Sequence, residues 1–357
     1  MKKTPLHKVH IEAGARMIDF ASWEMPLQYS GIINEHLAVR NSAGLFDASH
    51  MGEFLFKGRD ALDNLQLLVT NNVARLETGQ VLYTPMCNED GGIIDDLLIY
   101  RLSAEEYMMV VNAANIEKDY QWIKKHISGD LELEDISGQY ALIALQGPES
   151  LAILKEISNP QLEELKYYHF LKGRVAGIEL IISRTGYTGE LGYELYCFPD
   201  EAVFLWKELM KAGEKYNLLP AGLGARDTLR LEKKYCLYGN DIDEKRHPLE
   251  AGLSWTVDFS KDDFIGKECL LDYQKNGYRQ KLIGFKLIDR GMARKGYKIM
   301  DKDKIIGEVS SGGYSPILEG SIGLAYVDKE YSEIDKKIDI IIRNKAVKAV
   351  IVKTPFV

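Results

Sequence analysis

The sequence predicts an α+β fold, with helices and largely antiparallel sheets through residue 275 and an antiparallel β-barrel after it. Two observations carry this reading. Segments with apolar residues at helical spacing alternate irregularly with segments of period two as far as residue 275. Beyond Tyr278 the texture changes to short β-rich runs separated by Gly, Asp and Lys turns.

In chain order, a helix over 32–41 precedes a strand over 52–57 and a helix over 59–68. Strands over 94–101 and 107–112 lead to a helix over 116–127, a strand over 140–146 and a helix over 149–157. Strands over 175–183 and 190–197 then precede helices over 201–215 and 225–235. The barrel is expected from runs over 282–288, 298–300, 305–310, 323–328, 338–343 and 346–352. The polar, glycine-containing stretch 273–279 is the expected boundary, giving domains 1–275 and 276–357. No internal repeat or low-complexity tract interrupts this order.

Between Arg184 and Tyr196 the chain reads Arg-Thr-Gly-Tyr-Thr-Gly-Glu-Leu-Gly-Tyr-Glu-Leu-Tyr, with Gly186, Gly189 and Gly192 at every third place. Glycine lets a backbone turn tightly and approach a flat ligand where a Cβ would collide. In the strand that follows, Tyr193 and Leu195 face one way while Glu194 and Tyr196 face the other. A carboxylate therefore leaves a sheet beside an aromatic, glycine-lined loop. The plainer alternative is a glycine-rich hairpin with Glu194 in solvent.

The segment Pro220-Ala-Gly-Leu-Gly-Ala-Arg-Asp-Thr-Leu-Arg-Leu-Glu232 reads as a glycine turn opening a helix, with Arg226 and Arg230 one turn apart. A cation in a first turn opposes the helix dipole, so Arg226 needs an anionic or carbonyl partner. Gly222-Leu-Gly224 resembles part of a dinucleotide fingerprint, but the third glycine is missing and nucleotide binding is rejected. In Glu89-Asp-Gly-Gly-Ile-Ile-Asp-Asp-Leu-Leu-Ile-Tyr100, alternation puts Asp96 on one face of a strand and Asp95 on the other. A buried, unpaired carboxylate is costly, so at least one of the two requires a partner, a wet cavity or a ligand. A solvated strand start is the alternative.

In their order along the chain these segments closely resemble the glycine cleavage T-protein family of tetrahydrofolate-dependent aminomethyltransferases. The resemblance runs nearly end to end. It includes Thr4-Pro-Leu-His7, Gly14-Ala-Arg16, Trp23-Glu-Met-Pro-Leu-Gln-Tyr29, Phe46-Asp-Ala-Ser-His-Met-Gly52, Gly91-Gly-Ile-Ile-Asp-Asp96, Leu145-Gln-Gly-Pro148, Ser183 to Leu195, Gly222 to Asp227 and Tyr238-Gly-Asn-Asp-Ile-Asp243. It implies a three-domain cloverleaf, with two interleaved α+β folate-binding domains and the C-terminal barrel. It further implies transfer of a one-carbon unit from the S-aminomethyl-dihydrolipoyl arm of H-protein to tetrahydrofolate. The products are 5,10-methylenetetrahydrofolate, ammonia and dihydrolipoyl H-protein. Asp96 matches the family's essential aspartate, which stabilises a cationic one-carbon centre and relays a proton.

Glu194 matches the carboxylate that binds the pterin's adjacent N–H donors, with Tyr187 as an aromatic wall and Arg226 as a donor to the ring. A Glu194–Arg226 ion pair without ligand is the structural alternative. Tyr83, Asn112 and Tyr238 match further positions around the folate, or else serve as core phenols or a strand-end cap. Asp95 is expected in a structural salt bridge. Arg294, in Arg290-Gly-Met-Ala-Arg-Lys295, matches a position near the active-site entrance and is a carrier-facing candidate, with an ordinary solvated turn as the alternative. The chain stops at Pro355-Phe-Val357, whereas many relatives carry a further Tyr- or Arg-containing tail; that contribution to folate binding is in doubt here.

Rival readings are a folate-dependent demethylase on the same scaffold and a noncatalytic folate-binding assembly or repair protein. The Gly-Gly-Ile-Ile-Asp-Asp setting of Asp96 favours aminomethyl transfer over the first. Lys234-Tyr-Cys-Leu-Tyr-Gly-Asn-Asp departs from the Lys-Gly-Cys-Tyr-x-Gly-Gln-Glu of the second.

Composition narrows the setting. A chain of 357 residues, 46% hydrophobic, can bury a large core, and a net charge of -8 lacks the basic face expected for nucleic acid or for nonspecific attachment to anionic membrane. The four cysteines, Cys87, Cys197, Cys236 and Cys269, show no metal-like spacing or disulfide density and fit a reducing cytoplasm. Cys236 is read as a buried structural thiol, with a nucleophile as the alternative. His7 and His10 form no metal set, and no metal is expected. The N-terminus leaves no room for a signal core or transit peptide, and no stretch reaches the roughly 18 apolar residues of a membrane span.

Overall fold

The computed structural model describes residues 1–159 and 162–357 and has a mixed α+β fold that ends in a closed barrel. Two compact units interleave along the sequence. The first comprises Met1–Leu65, Val73–Tyr83 and Leu97–Asp227; the second comprises Gln66–Asn72, Thr84–Asp96 and Thr228–Val357.

In the first unit a six-stranded sheet runs in the order Phe170–Val175, Ile178–Ser183, Gly192–Cys197, Ala141–Gln146, Gly44–Asp47 and Leu219–Pro220. The described pairings are antiparallel except the last, which is parallel. Side chains alternate across this sheet and each face has its own core. Ile143, Leu145, Ile182, Tyr193 and Leu195 pack with Leu205, Trp206 and Leu209 of the helix Ala202–Gly213. That helix buries Ala202, Leu205, Trp206, Leu209 and Gly213, a stripe at helical spacing. The other face carries Leu142, Ile181 and Tyr196 against Tyr100, Met108 and Val110 of a second, antiparallel sheet. Each fully buried Leu or Ile contributes about 1.5–3 kcal/mol, so both faces resist a one-residue slip of register. In this register Glu194 lies opposite Ser183 on one neighbour and Ala144 on the other.

The expected strand over 175–183 is a hairpin instead. Phe170–Val175 and Ile178–Ser183 pair directly, joined by Ala176 and Gly177, both at positive φ. Such a two-residue turn is favoured by its twist, but alanine in its first place hides it from sequence reading.

The second unit contains the helix Lys267–Asn276, which occupies the first half of the expected linker, and then the barrel. Its strands close in the order Gln280–Leu287, Gly320–Asp328, Lys304–Ser315, Lys298–Asp301, Lys337–Ile342 and Lys345–Val352, and the last pairs with the first. Inward-facing Ile283, Phe285, Ile299, Val309, Val327, Ile340 and Ile351 fill it. A bulge between Val309 and Ser311 lets consecutive serines both reach the same buried ion pair outside the barrel core. Ser310 Oγ donates to Asp241 at 2.6 Å, and Arg230 donates to Ser311 Oγ at 3.0 Å. Arg230 and Asp241 are themselves a buried pair at 2.6 Å.

Candidate active site

In the first unit, Glu194 sits on the inter-sheet face and is only partly accessible. Burial raises its pKa, opposed first by the hydrogen bond from Thr185 Oγ1 to Glu194 Oε2 and then by the charge of Arg226. Thr185 ends a run of buried hydroxyls. Ser183 and Thr185 are 2.9 Å apart, Tyr100 lies 3.1 Å from Ser183 and 3.4 Å from Thr185, and Tyr196 lies 3.0 Å from Tyr100.

Arg226 lies in the helix Leu223–Glu232, with its guanidinium 4.6 Å from the ring centre of Tyr187. This cation–π contact gives the first-turn cation a partner. The helix N-terminus has its own anion, since buried Glu35 accepts from Gly222 N at 2.9 Å and also from Tyr29 N and Gly31 N. The alternative of a direct Glu194–Arg226 ion pair does not hold: Glu194 bonds to Thr185, and Arg226 acts on it as a more distant charge. Gly222 has a structural reason, because a Cβ there would lie 2.4 Å from the Leu27 carbonyl oxygen.

Gln146 requires two of the tract's three glycines, and the third, Gly189, sits at positive φ. A Cβ on Gly186 would lie 2.1 Å from Gln146 Oε1, and one on Gly192 would lie 2.3 Å from its Nε2. Gln146 donates to the Thr185 carbonyl at 3.2 Å and accepts from Thr188 Oγ1 at 2.8 Å, so its amide threads the loop and fixes it. Of the other sequence candidates in this unit, Tyr83 and Asn112 are both partly exposed, Asn112 directly following the strand Glu106–Val111.

In the second unit, Asp96 is partly exposed whereas Asp95 is fully buried. The preceding turn is held by Asn88, whose Oδ1 accepts from Asp90 N at 3.1 Å and Gly92 N at 2.8 Å. Ile93 N then donates to the carbonyls of Asp243 and Arg246 at 3.1 and 2.9 Å. A Cβ on Gly92 would lie 1.8 Å from the Glu244 carbonyl oxygen, so this glycine permits backbone to approach backbone. Cys236 is buried, and burial together with the Asp241 and Asp96 charges pushes its thiol up, as suits a structural thiol.

Tyr238 is partly exposed and forms an isolated bridge with Ile242. Arg294 is exposed, but its Nη1 donates to the Gly312 carbonyl at 3.1 Å, and Lys295 donates to the Gly239 carbonyl. The turn is thus tied down rather than freely solvated.

Sequence reading missed Tyr100, Ser183, Thr185 and Gln146, although the motifs Leu145-Gln-Gly-Pro148 and Ser183 to Leu195 contain three of them. It also missed His50. This residue is buried, with neither ring nitrogen bonded among the described residues, and burial and Arg226 push its pKa down to about 3. His7 and His10 go separate ways, to Glu24 at 2.9 Å and to Asp47 at 2.8 Å. Among the described residues no group of three or more His, Cys, Asp or Glu side chains is placed to hold a metal, and no helix is long and apolar enough to cross a membrane.

Comparison with known proteins gives a consistent result. Residues 6–261 match the family model described as the GCVT N-terminal domain, and residues 280–357 match the glycine cleavage T-protein C-terminal barrel domain. An aminomethyltransferase of Halothermothrix orenii is 58% identical over 100% of both chains. That of Bacillus subtilis is 47% identical over 100% of this chain and 99% of its own. The crystal structure of glycine cleavage system aminomethyltransferase T from Bartonella henselae superposes with a TM-score of 0.94 at 33% identity, covering 100% of this chain and 98% of that one.

Proposed function

This chain belongs to the glycine cleavage T-protein family and is an aminomethyltransferase, and we propose on that premise how its residues divide the work. The donor is the S-aminomethyl-dihydrolipoyl arm of H-protein and the acceptor is tetrahydrofolate. Tetrahydrofolate supplies two nitrogens that take the carbon, and their two N–H protons leave with ammonia and the freed thiol. Carbon keeps its oxidation state, so the reaction balances without a redox partner or metal.

The observation that carries this assignment is Glu194, a partly buried carboxylate held on one oxygen by Thr185, with the charge of Arg226 acting on it. Its remaining lone pairs suit the adjacent amino and ring N–H donors of a pterin. The Arg226–Tyr187 pair offers a guanidinium donor and an aromatic face. Tyr83, Asn112 and Tyr238 are assigned to the rest of the folate. Asp96 is the catalytic carboxylate. A negative charge fixed on a strand whose immediate neighbours Asp95 and Leu97 are buried stabilises a developing cationic carbon, and it relays a proton toward the departing amine.

Residues 1–275 are assigned to the transferase core and 276–357 to the barrel domain, a division supported by where the two family models end and begin. Arg294 is assigned to the carrier's approach. An acidic chain whose four cysteines form no disulfide suits the cytoplasm. The test is ammonia release from aminomethylated H-protein. Release that depends on tetrahydrofolate supports the assignment; release indifferent to it, or none, overturns it.

A further inference from the structure

We propose that Tyr196, Tyr100, Ser183 and Thr185 form a one-way chain of hydroxyl donors that aims the Glu194 carboxylate and keeps it ionised, making Thr185 a positioning residue for the pterin. The inference rests on Glu194 being the pterin anchor.

Proton counting sets the direction. Each hydroxyl has one proton to donate, and an ionised carboxylate has none. Thr185 gives its proton to Glu194 Oε2, so its 2.9 Å contact with Ser183 has Ser183 as donor. Ser183 is then the acceptor from Tyr100 at 3.1 Å, and Tyr100 the acceptor from Tyr196 at 3.0 Å. All four residues are buried, so water does not compete, and each bond polarises the next toward the carboxylate. The members come from three strands: Tyr100 from Ile93–Arg101, Ser183 from Ile178–Ser183, and Tyr196 with Glu194 from Gly192–Cys197. Thr185 stands in the loop that Gln146 fixes through the Thr185 carbonyl. The backbone that places the last donor is therefore itself held.

Such a chain has a specific use. A pterin edge with two adjacent N–H donors needs a carboxylate that is both ionised and correctly rotated, and burial works against the first. Thr185 occupies one lone pair of Oε2 and leaves Oε1 for the ligand. The titratable groups acting on this system are Arg226 and Tyr100 and Tyr196, with Glu53 acting on Tyr196 from the strand Gly52–Lys57.

The experiment titrates the full chain with tetrahydrofolate between about pH 5.5 and 8.5, alongside thermal melts, for wild type, Thr185→Val, Thr185→Ser, Tyr100→Phe and Glu194→Gln. Loss of a hydrogen bond to a charged group weakens binding by roughly tenfold or more, so Thr185→Val is expected to lose about that much near neutral pH. Removing a donor to the ionised form raises the carboxyl's pKa, so binding is lost at a higher pH on acidification. Thr185→Ser restores both affinity and profile, and Tyr100→Phe shows a smaller shift in the same direction.

A folded Thr185→Val protein with unchanged affinity and profile, beside a Glu194→Gln protein that has lost folate, overturns the relay and leaves the pterin assignment standing. Normal binding by Glu194→Gln overturns both. If Thr185→Val does not fold, Tyr100→Phe decides: an unmoved acid limb sinks the proposal. Failure of Thr185→Ser to rescue shows that bulk, not the hydroxyl, matters, and sinks it as well.

Discussion

Exchanging the two neighbouring aspartates for asparagine separates chemistry from architecture. Asp96 is partly exposed and Asp95 fully buried, although they adjoin on one strand. Asparagine preserves size, so Asp96→Asn removes charge without opening a cavity. Turnover is expected to fall about 10²- to 10⁴-fold, equivalent to roughly 3–5 kcal/mol of transition-state stabilisation. The melt should move by less than about 0.5 kcal/mol, the usual range for a substitution away from the core. Asp95→Asn reverses the balance. A carboxylate this buried needs partners that an amide satisfies less well, and leaving a buried polar group short of a partner costs about 1–3 kcal/mol, which lowers the melting transition of its unit by several degrees. Activity measured well below that transition should stay within a few-fold of wild type. The assays are ammonia release at saturating tetrahydrofolate and scanning calorimetry on the same samples. Equal, small activity losses in both variants, or a larger loss in Asp95→Asn, would refute the division of roles.

Arg226→Met should weaken tetrahydrofolate binding and raise the pKa of Glu194, because the cation favours the carboxylate's charged form; isothermal titration at two pH values checks both effects. Arg294→Ala should impair transfer from intact H-protein more than from free aminomethyl-dihydrolipoamide, and added salt should narrow the gap. Equal sensitivity to both donors would move Arg294 into the chemistry. Lys261, buried and donating to the carbonyls of Gln66, Val69 and Asn71, has its pKa lowered to about 7 by burial. The unfolded chain then binds more protons than the folded one between pH 7 and about 10.4, so stability should rise with pH across that window, by up to roughly 1.4 kcal/mol per unit. Denaturant titrations should show this slope in wild type and lose it in Lys261→Met.

Much of the fold was legible because periodicity reports local geometry. The helix Ile32–Asn41 and the strand Gly52–Lys57 have the expected bounds, and all six barrel strands lie where β-rich runs predict them. The hairpin at Ala176 was not legible, since its turn lacks the usual Asn-Gly or Asp-Gly. The site was legible only as a set of residue types. Glu194 and Arg226 stand out as charges in unusual settings, but what each touches is decided by residues far away in sequence. Gln146 dictates Gly186 and Gly192 through space, so the reason for those glycines is absent from the tract itself. Arg230 looked equivalent to Arg226 one turn away, yet it pairs with Asp241 inside the second unit. Two guanidiniums on one helix thus meet an aromatic ring and a buried carboxylate, and spacing alone does not tell them apart.

The closed barrel bears on how the chain leaves the ribosome. Its first strand, Gln280–Leu287, pairs with Gly320–Asp328 on one side and with Lys345–Val352 on the other, with Gly284 opposite Val352. During synthesis from the N-terminus the second partner therefore emerges only after all the other barrel strands. Until then Gln280–Leu287 exposes a row of unpaired N–H and C=O groups, an edge on which a foreign strand can add. The delay is long compared with hairpin closure, which takes microseconds, because translation proceeds at about 5–20 residues per second. A nascent chain truncated before Lys345 should consequently be held by chaperones or aggregate, while one extended through Val352 has sealed the very edge that endangered it.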